Sequence, residues 1–184
     1  MPSEHHVHQY NSVTLGLGSN LGDRLDNLFM ALELLHQEQE ITLKKISSVY
    51  QCPAEGFEGP DFLNLAAQFD TSLTPTDLLS ACQKIERKIG KQVRKKRTKN
   101  YVSRLIDIDI LIFGNIIYKN DTLSIPHPAI SKRDFVKIPL QELGITVPFK
   151  HKNETETTDT KRGARSLRKE NTLTEQLKTL LSLK

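Results

Sequence analysis

The sequence predicts an α+β fold in which helices pack on one face of an antiparallel sheet. Two observations favour it. Apolar patterns typical of strands alternate along the chain with patterns typical of helices. A loop rich in glycine and proline joins the second and third strands, as in an antiparallel pair. The resulting order, β-α-β-β-α-β, is that of the ferredoxin-like sandwich, and a C-terminal hairpin extension follows it. A fold class does not by itself give a function.

The first strand and helix are predicted between residues 12 and 36. Residues 12–18 (SVTLGLG) have the pattern of a strand that ends in a glycine turn. Asp23 is placed to cap the helix, because its carboxylate can accept hydrogen bonds from the free N–H groups of the first turn. Leucines and Phe29 then recur at helical spacing until about His36, which predicts one buried face.

Two strands are predicted next, at 41–51 and 62–71, with the breaker-rich loop 52–60 between them. A second helix follows from Pro75, which suits a first helical position, to Gly90, which suits the end. Thr74 is its predicted N-cap. Cys82 lies on its apolar stripe, which favours a buried structural thiol.

The third part of the pattern begins with a strand at 104–113. Gly114-Asn115 predicts a tight turn into a strand at 116–118, which forms the hairpin extension. Two single helical turns are predicted at 128–132 and 139–143.

The composition indicates one domain with a basic surface and a charged tail. The chain has 184 residues, a net charge of +4 and 37% hydrophobic residues. Its two cysteines lack metal-like spacing, the amino terminus has no apolar signal core, and no apolar run is long enough to cross a bilayer. We therefore expect a cytoplasmic protein that binds an anionic ligand and has no membrane partner.

The predicted domain covers residues 1–150, and residues 151–184 form a charged linker or tail. The tail ends in leucines at helical spacing, which predicts a terminal amphipathic helix. Its apolar stripe needs a surface to cover it. That surface is the body of the domain, a second domain, or a partner that docks through this helix.

Residues 104–113 (RLIDIDILIF) are the most unusual stretch of the chain. The apolar run predicts a buried strand, and strand alternation places Asp107 and Asp109 on the same face. Neighbouring carboxylates repel each other, so they stay ionised only when a cation neutralises them. Oxygen ligands suit a hard ion such as Mg²⁺. The alternative is an edge strand with a solvated acidic face.

Residues 87–99 contain eight Lys or Arg residues and no acidic residue. Such a run is a solvated loop, a nucleic-acid patch or a phosphate clamp, and charge density does not separate the three. Its position before the acidic strand favours a nucleoside triphosphate, because Mg²⁺ and cationic side chains together neutralise the phosphates. Exposed carboxylates would repel a nucleic-acid backbone, so no nucleic-acid partner is expected.

Other polar residues are weaker candidates. Asn64 offers a donor and an acceptor to an amide-like heterocycle, and Phe62 can stack on such a ring, although a buried phenylalanine at a strand start is the alternative. His127 and Arg133 can donate to phosphate oxygens, although a histidine after a proline is usually structural. The glycine turn at 18–20 lacks the phosphate-binding loop pattern, which favours a simple turn.

The order of these landmarks resembles the 6-hydroxymethyl-7,8-dihydropterin pyrophosphokinase family. The landmarks are GSNLG, SSVY, PDFLN, the basic loop, RLIDIDIL and IPHP, spread over roughly residues 12–148. The most specific is R-x-x-D-x-D-I-L, at 104–111. The resemblance implies a ferredoxin-like enzyme of folate synthesis that transfers the terminal pyrophosphate of ATP to the hydroxymethyl group of the pterin and releases AMP.

The resemblance also implies a role for each matching residue. Asp107 and Asp109 would hold two Mg²⁺ ions, which bridge the ATP phosphates and orient the pterin hydroxyl for in-line attack at the β-phosphorus. The arginines on the phosphates would be Arg94, Arg97 and Arg104. The remaining nucleotide contacts would be Gln83, Glu86, Tyr101, Ile110, Ser124, His127 and Arg133. The pterin contacts would be Cys52, Pro53, Phe62, Asn64 and Phe135.

One segment departs from the family pattern. Residues 100–104 are NYVSR, where the family often has Arg-Trp-Gly-Pro-Arg. Arg104 is kept, Tyr101 stands in place of the tryptophan, and the Gly-Pro is missing. Two alternatives to the enzyme therefore stay open: an inactive relative that docks through the terminal helix, and a nucleic-acid-binding module. The intact aspartate pair favours the enzyme.

Overall fold

The computed structural model describes residues 10–90, 103–146 and 167–182. Within them the chain forms eight strands, four α-helices and one short 3₁₀ turn at Pro128–Ile130. The strands are β1 (Asn11–Ser19), β2 (Ile41–Ile46), β3 (Tyr50–Cys52), β4 (Phe62–Thr71), β5 (Asp107–Phe113), β6 (Tyr118–Lys119), β7 (Ser124–Ile125) and β8 (Arg168–Lys169). The helices are α1 (Arg24–Gln37), α2 (Pro75–Gly90), α3 (Asp134–Glu142) and α4 (Asn171–Ser182).

The main sheet is antiparallel and has β1 and β4 at its centre. Its strand order is β5-β1-β4, and the other edge of β4 pairs first with β2 and then with β3. β8 pairs with the far edge of β3. The predicted α+β class, with an antiparallel sheet and packed helices, is confirmed.

The predicted second strand at 41–51 is two strands in the structure. β2 ends at Ile46 and β3 begins at Tyr50. Between them, Ser47 keeps one main-chain bond to β4, since its N–H donates to the carbonyl of Ala66 at 2.8 Å. The N–H of Ala66, however, donates to the hydroxyl of Ser47 at 2.9 Å and not to its carbonyl, so the regular ladder is interrupted here.

Both predicted helix caps are present. The carboxylate of Asp23 accepts from the N–H of Asp26 at 3.1 Å, and the hydroxyl of Thr74 accepts from the N–H of Asp77 at 3.2 Å. Cys82 is fully buried, as its place on the apolar stripe predicted. These features depend on residues close in sequence, which is why periodicity and capping rules find them.

The helices lie on both faces of the sheet, not on one as predicted. Alternate residues of β1 and β4 pack against α1 and α2, and they include Leu15, Leu17 and Phe69. The opposite face has a smaller core that includes Ala66 and Leu111, and α3 covers it. The sequence predicted only a turn at 139–143 because Pro139 lies inside this helix.

The hairpin extension differs from the prediction. Gly114 does turn the chain, with φ of +50°, but the residues after it do not pair back onto β5. Instead β6 and β7 pair with each other in a separate two-stranded sheet. The Gly114-Asn115 pattern therefore predicted the turn correctly, but it did not predict which strand the following residues pair with.

Residues 167–182 pack onto the body of the protein. α4 lies against α1, and Leu177 is fully buried in the main core. The main chain of Val49 donates to the hydroxyl of Thr174 at 2.9 Å and accepts from the N–H of Glu170 at 2.8 Å. Of the three surfaces that the leucine stripe left open, the structure therefore uses the body. Within the described ranges, no helix is long and apolar enough to cross a bilayer.

Candidate functional site

A cleft of about 840 Å³, measured to its open mouth, lies on the face of the sheet that α3 covers. Its floor is formed by β1, β4 and β5, and its walls by α3 and by the loop after β3. Its walls and floor include most of the polar and aromatic side chains that the sequence singled out. They are Cys52, Pro53, Phe62, Asn64, Arg104, Asp107, Asp109, Arg133 and Phe135.

Two glycines of β1 give the floor its depth. Across the sheet, Gly18 lies between Asn64 and Asp107, because it is the register partner of both. Register partners project to the same face, so Asn64 and Asp107 point into the cleft about two strand spacings, or roughly 10 Å, apart. A Cβ on Gly18 would lie 3.0 Å from Oδ1 of Asn64. Because Gly18 has no side chain, this row leaves space for a flat guest between the amide of Asn64 and the carboxylate of Asp107.

The paired carboxylates lie side by side at one end of this floor. Asp109 opens into the cleft and is the register partner of Gly16. Desolvation, followed by the charge of Asp107, raises the pKa of Asp109. The guanidinium of Arg104 pairs with Asp107. The two acids thus form a site that a further cation would stabilise.

Asn20 fixes the approach to the acidic strand. This side chain is 1% exposed, and its Oδ1 accepts from the N–H of Arg104 at 2.7 Å. Its Nδ2 donates to the carbonyl of Pro60 at 3.1 Å and to the hydroxyl of Ser103 at 3.0 Å. One amide therefore joins the turn after β1 to the loop before β4 and to the segment before β5.

Glu86 approaches β5 from α2. Its carboxylate accepts from the N–H of Ile108 at 2.7 Å, on the strand edge that β1 leaves unpaired. Burial raises its pKa, the hydrogen bond from Ile108 opposes this, and the charges of Asp107 and Asp109 add to the rise, so that the pKa is about 7. Three carboxylates therefore converge on one strand.

The other end of the cleft is less charged. The amide of Asn64 donates to the sulfur of Cys52 at 3.2 Å, which leaves its oxygen for other partners. Burial raises the pKa of the Cys52 thiol to about 11, so it is a neutral wall group. The rings of Phe57 and Phe62 meet edge to face with centroids 6.3 Å apart. This end can hold a flat ring that needs both a donor and an acceptor.

Basic groups from α3 and the turn before it face the acidic end. The guanidinium of Arg133 lies 5.5 Å from the centroid of the Phe135 ring and 3.9 Å from a carboxylate oxygen of Glu55. His127 accepts from the N–H of Ala129 at its Nδ1 atom, at 3.2 Å. An accepting Nδ1 leaves Nε2 as the donor of the neutral ring.

Four of the remaining candidates lie outside the lining of the cleft. Gln83 is exposed on α2, Ser124 lies on β7, and His127 and Glu86 are half-buried nearby. The side chain of Ile110 is 2% exposed in the core under the helices, so the predicted nucleotide contact would be made by its main chain. The predicted roles of Arg94, Arg97 and Tyr101 fall outside the described residues.

Sequence reasoning did not assign site roles to several lining residues. Glu55 and Phe57 were read only as loop, and Gly16 and Gly18 only as strand and turn. The alternation of Gly16 and Gly18 with leucine was the available signal, because a strand that alternates glycine with leucine has one face without side chains. Asn20 was singled out only as part of the glycine turn at 18–20, and its role in joining three segments was not predicted because its partners are 40 to 84 residues away.

The chain matches the family described as 7,8-dihydro-6-hydroxymethylpterin-pyrophosphokinase (HPPK) over residues 14–145. It is 43% identical over 133 residues to the 2-amino-4-hydroxy-6-hydroxymethyldihydropteridine pyrophosphokinase of Aquifex aeolicus, covering 72% of this chain and 79% of that protein. The enzyme of the same name from Bacillus subtilis is 39% identical over 134 residues, covering 72% and 78%.

Larger proteins contain a similar part. The mitochondrial folate synthesis bifunctional protein of Pisum sativum is 39% identical over 136 residues, covering 73% of this chain and 25% of that protein. Among solved structures, wild-type HPPK-DHPS of Plasmodium falciparum has a TM-score of 0.57 at 16% identity, covering 73% of this chain and 41% of that one. At that identity the likeness shows the fold alone.

Proposed function

Since the chain belongs to the 7,8-dihydro-6-hydroxymethylpterin-pyrophosphokinase family, we propose that its cleft holds the pterin and ATP side by side. The protein is a transferase of folate biosynthesis: it transfers pyrophosphate from ATP to the hydroxyl of 6-hydroxymethyl-7,8-dihydropterin, and AMP is released. The observation that carries the placement of the substrates is the row across three strands, with Asn64 at one end and Asp107 at the other.

The finer fold assignment is also a proposal. If β2 and β3 count as one interrupted strand, the sheet order β5-β1-β4-β2/β3 is that expected of a ferredoxin-like βαββαβ sandwich. The small β6–β7 sheet then stands in the place of the hairpin extension. We likewise assign the catalytic domain to residues 1–150, with 151–184 as a following segment.

The pterin is proposed to lie at the neutral end of the cleft. Asn64 offers its carbonyl oxygen to the amide-like edge of the ring, since its N–H₂ group already donates to Cys52. Phe62 and Phe135 flank the ring from opposite walls, and Cys52 and Pro53 close the side. In this position the hydroxymethyl group would point along the row toward Asp107.

The aspartate pair fits a magnesium site. Asp107 and Asp109 are hard oxygen donors on one face, and burial followed by the charge of Asp107 raises the pKa of Asp109, which a divalent cation would counter. Two carboxylates suffice for Mg²⁺ when phosphate oxygens and water complete the shell. When bound, the ions would offset the phosphate charge and help to align the reacting oxygens. We propose two ions, as the family resemblance implies.

The chain's own residues orient the phosphates. Arg104 is held by Asn20 through its main chain and by Asp107 through its guanidinium, so its position is defined before substrate arrives. Arg133 lines the cleft on the other side, and His127 lies near enough for its charge to act on Asp109, so we propose that both donate to phosphate oxygens. Such fixed donors stabilise developing charge without rearrangement.

The remaining nucleotide contacts are proposed from the residues near the free edge of β5. The side chains of Gln83, Glu86 and Ser124 and the main chain of Ile110 surround the free edge of β5. Arg94, Arg97 and Tyr101 lie outside the described residues and stay sequence-based predictions.

Partners and location are proposed from the same site. A cleft with an acidic floor suits small-molecule substrates better than a nucleic-acid backbone, which the aspartates would repel. We propose a cytoplasmic location. α4 already buries Thr174 and Leu177 against the protein, so any partner that docks there would have to use its exposed side, around Leu180.

The test is the formation of AMP from ATP and the hydroxymethyldihydropterin, with the amount of AMP measured by chromatography. Asp107→Asn and Asp109→Asn keep the shape of each side chain but remove the charge, so each should lower kcat/KM by about three orders of magnitude or more. Asp70→Asn is the matched control, because Asp70 is a surface acid of β4 paired with Lys44. Wild-type turnover in both aspartate variants would contradict the proposed site. Absence of AMP with the wild-type protein would instead point to the inactive relative.

A further inference from the structure

A second polar cluster lies away from the reacting groups, around Glu142 at the carboxyl end of α3. One carboxylate oxygen accepts from the N–H of Ser48 and from the hydroxyl of Tyr50, both at 2.9 Å. The other accepts from the hydroxyl of Ser48 at 2.6 Å and from Nζ of Lys169 at 3.0 Å. Four donors from three residues, in two parts of the chain, therefore converge on one side chain.

Three of these donors, two on Ser48 and one on Tyr50, lie on or just before β3, the strand that leads into the cleft wall opposite α3. Tyr50 is the first residue of β3 and is 7% exposed, and Ser48 precedes it and is 6% exposed. Cys52 lies two residues beyond Tyr50, so strand alternation places both side chains on the cleft face. Glu142 thus binds the strand that carries Cys52 into the cleft.

α3 transmits this attachment to the other wall. The helix has nine residues, so it is roughly 13 Å long. Arg133 is its N-cap and Phe135 lies in its first turn, and both line the cleft, as do Val136 and Pro139 further along. A helix fixed at its carboxyl end cannot tilt without moving the residues at its amino end.

We propose that Glu142 is a positioning residue that sets the width of the pterin pocket. By tying β3 to the end of α3, it fixes the distance between Cys52, which closes the side of the pterin pocket, and Phe135, which flanks the ring. The inference rests on the proposed placement of the pterin. It goes beyond it by assigning a role to a residue that touches neither substrate.

The nucleotide end provides an internal reference. Asp107, Asp109 and Glu86 lie on β5 and α2, and Glu142 makes none of its hydrogen bonds to either element. Arg133 is the one proposed phosphate ligand on α3. A change at Glu142 should therefore affect pterin binding more than ATP binding, whereas a general loss of structure would affect both.

The experiment measures the KM of each substrate for Glu142→Ala and Tyr50→Phe. We expect Glu142→Ala to raise the pterin KM by about tenfold, with less than a threefold change in the KM for ATP. Tyr50→Phe removes one hydroxyl from the cluster and keeps the ring, so it should raise the pterin KM by about threefold. Glu142→Gln, which keeps the size and one acceptor, should recover part of the loss.

The matched control is Glu175→Gln, which removes the same charge from an exposed residue of α4 and should leave both KM values unchanged. An unchanged pterin KM in folded Glu142→Ala would overturn the proposal, as would equal increases in both KM values. Should Glu142→Ala fail to fold, Tyr50→Phe decides by the same two criteria.

The failure of this inference can be told apart from failure of the pterin site itself. Asn64→Ala removes the proposed ring contact and should raise the pterin KM whatever Glu142 does. If Asn64→Ala leaves that KM unchanged, the placement of the pterin is wrong. If Asn64→Ala raises it and the Glu142 variants do not, only the positioning role is wrong.

Discussion

At the scale of single residues, the cleft depends on side chains that are missing as much as on those that are present. Gly16 and Gly18 put no atoms above the floor, and the side chains beside them, Leu111 and Asn64, already lie close to where a Cβ would be. Strand glycines usually weaken a sheet, so two in a central strand indicate a close approach by another group. Over Gly16 that group is the side chain of Leu111, and over Gly18 we propose that it is the pterin.

Gly18→Ala tests this assignment. The new methyl carbon would lie 3.0 Å from Oδ1 of Asn64, so the amide has to move from its place beside Cys52. We expect the pterin KM to rise by about tenfold, measured by AMP formation at saturating ATP.

Gly90→Ala is the control for that substitution, because a Cβ at Gly90 meets no atom of the residues that the structure describes within 4 Å. It should leave the pterin KM at the wild-type value. A Gly18→Ala protein with unchanged KM would show that the ring does not lie over this part of β1.

At the scale of elements, the sequence predicted what depends on neighbours in the chain. The acidic strand, the caps at Asp23 and Thr74, and the stripe of α2 all follow from local periodicity. The position of α3 does not, because a proline inside a short helix hides its period and its packing on Ala66 and Leu111 is long-range. The three floor strands and the residues Asn64, Asp107 and Asp109 were predicted from the sequence, whereas the wall helix α3 was predicted only as a single turn.

The link between α3 and β3 should make stability depend on pH. Burial acts to raise the pKa of Glu142, but the hydrogen bonds from Ser48, Lys169 and Tyr50 outweigh it and hold the pKa at about 2, against an ordinary value of 4.5. A lowered carboxyl pKa adds stability above pH 4.5, and this is lost as the pH falls toward 2.

The measurement is urea unfolding of the wild-type protein and of Glu142→Gln at pH 6 and pH 3. Because the side chain is 30% exposed, solvent screens the interaction, and we expect a difference of about 1 kcal/mol at pH 6 that shrinks at pH 3. Glutamine does not ionise, so the pH dependence of the difference between the two proteins comes from the titration of Glu142 in the wild type. A difference that stays constant or grows at pH 3 would contradict the assignment.

At the scale of the whole molecule, residues 167–182 are part of the folded body although the family match ends at residue 145. The sequence predicted the helix from its leucines but left its location open, because a periodic stripe shows that a face is buried and not what covers it. The pairing of β8 with β3 was not predicted, since two charged residues carry no strand pattern.

Leu177→Ala tests whether α4 contributes to the core. Leu177 is fully buried, so its truncation should lower the free energy of unfolding by about 2 to 4 kcal/mol. Leu180→Ala on the same helix is the control, because Leu180 is 38% exposed and should change stability by less than about 1 kcal/mol. Equal, small effects in urea denaturation would mean that α4 does not pack on α1.

The two main-chain bonds of Val49 have a consequence for biosynthesis. Both of its backbone polar groups find their partners in Glu170 and Thr174, more than a hundred positions further along. A nascent polypeptide on the ribosome therefore completes the hydrogen bonds of Val49 only after Glu170 and Thr174 have been made. Until then, the residue that joins Ser48 to the start of β3 keeps two backbone groups without these partners.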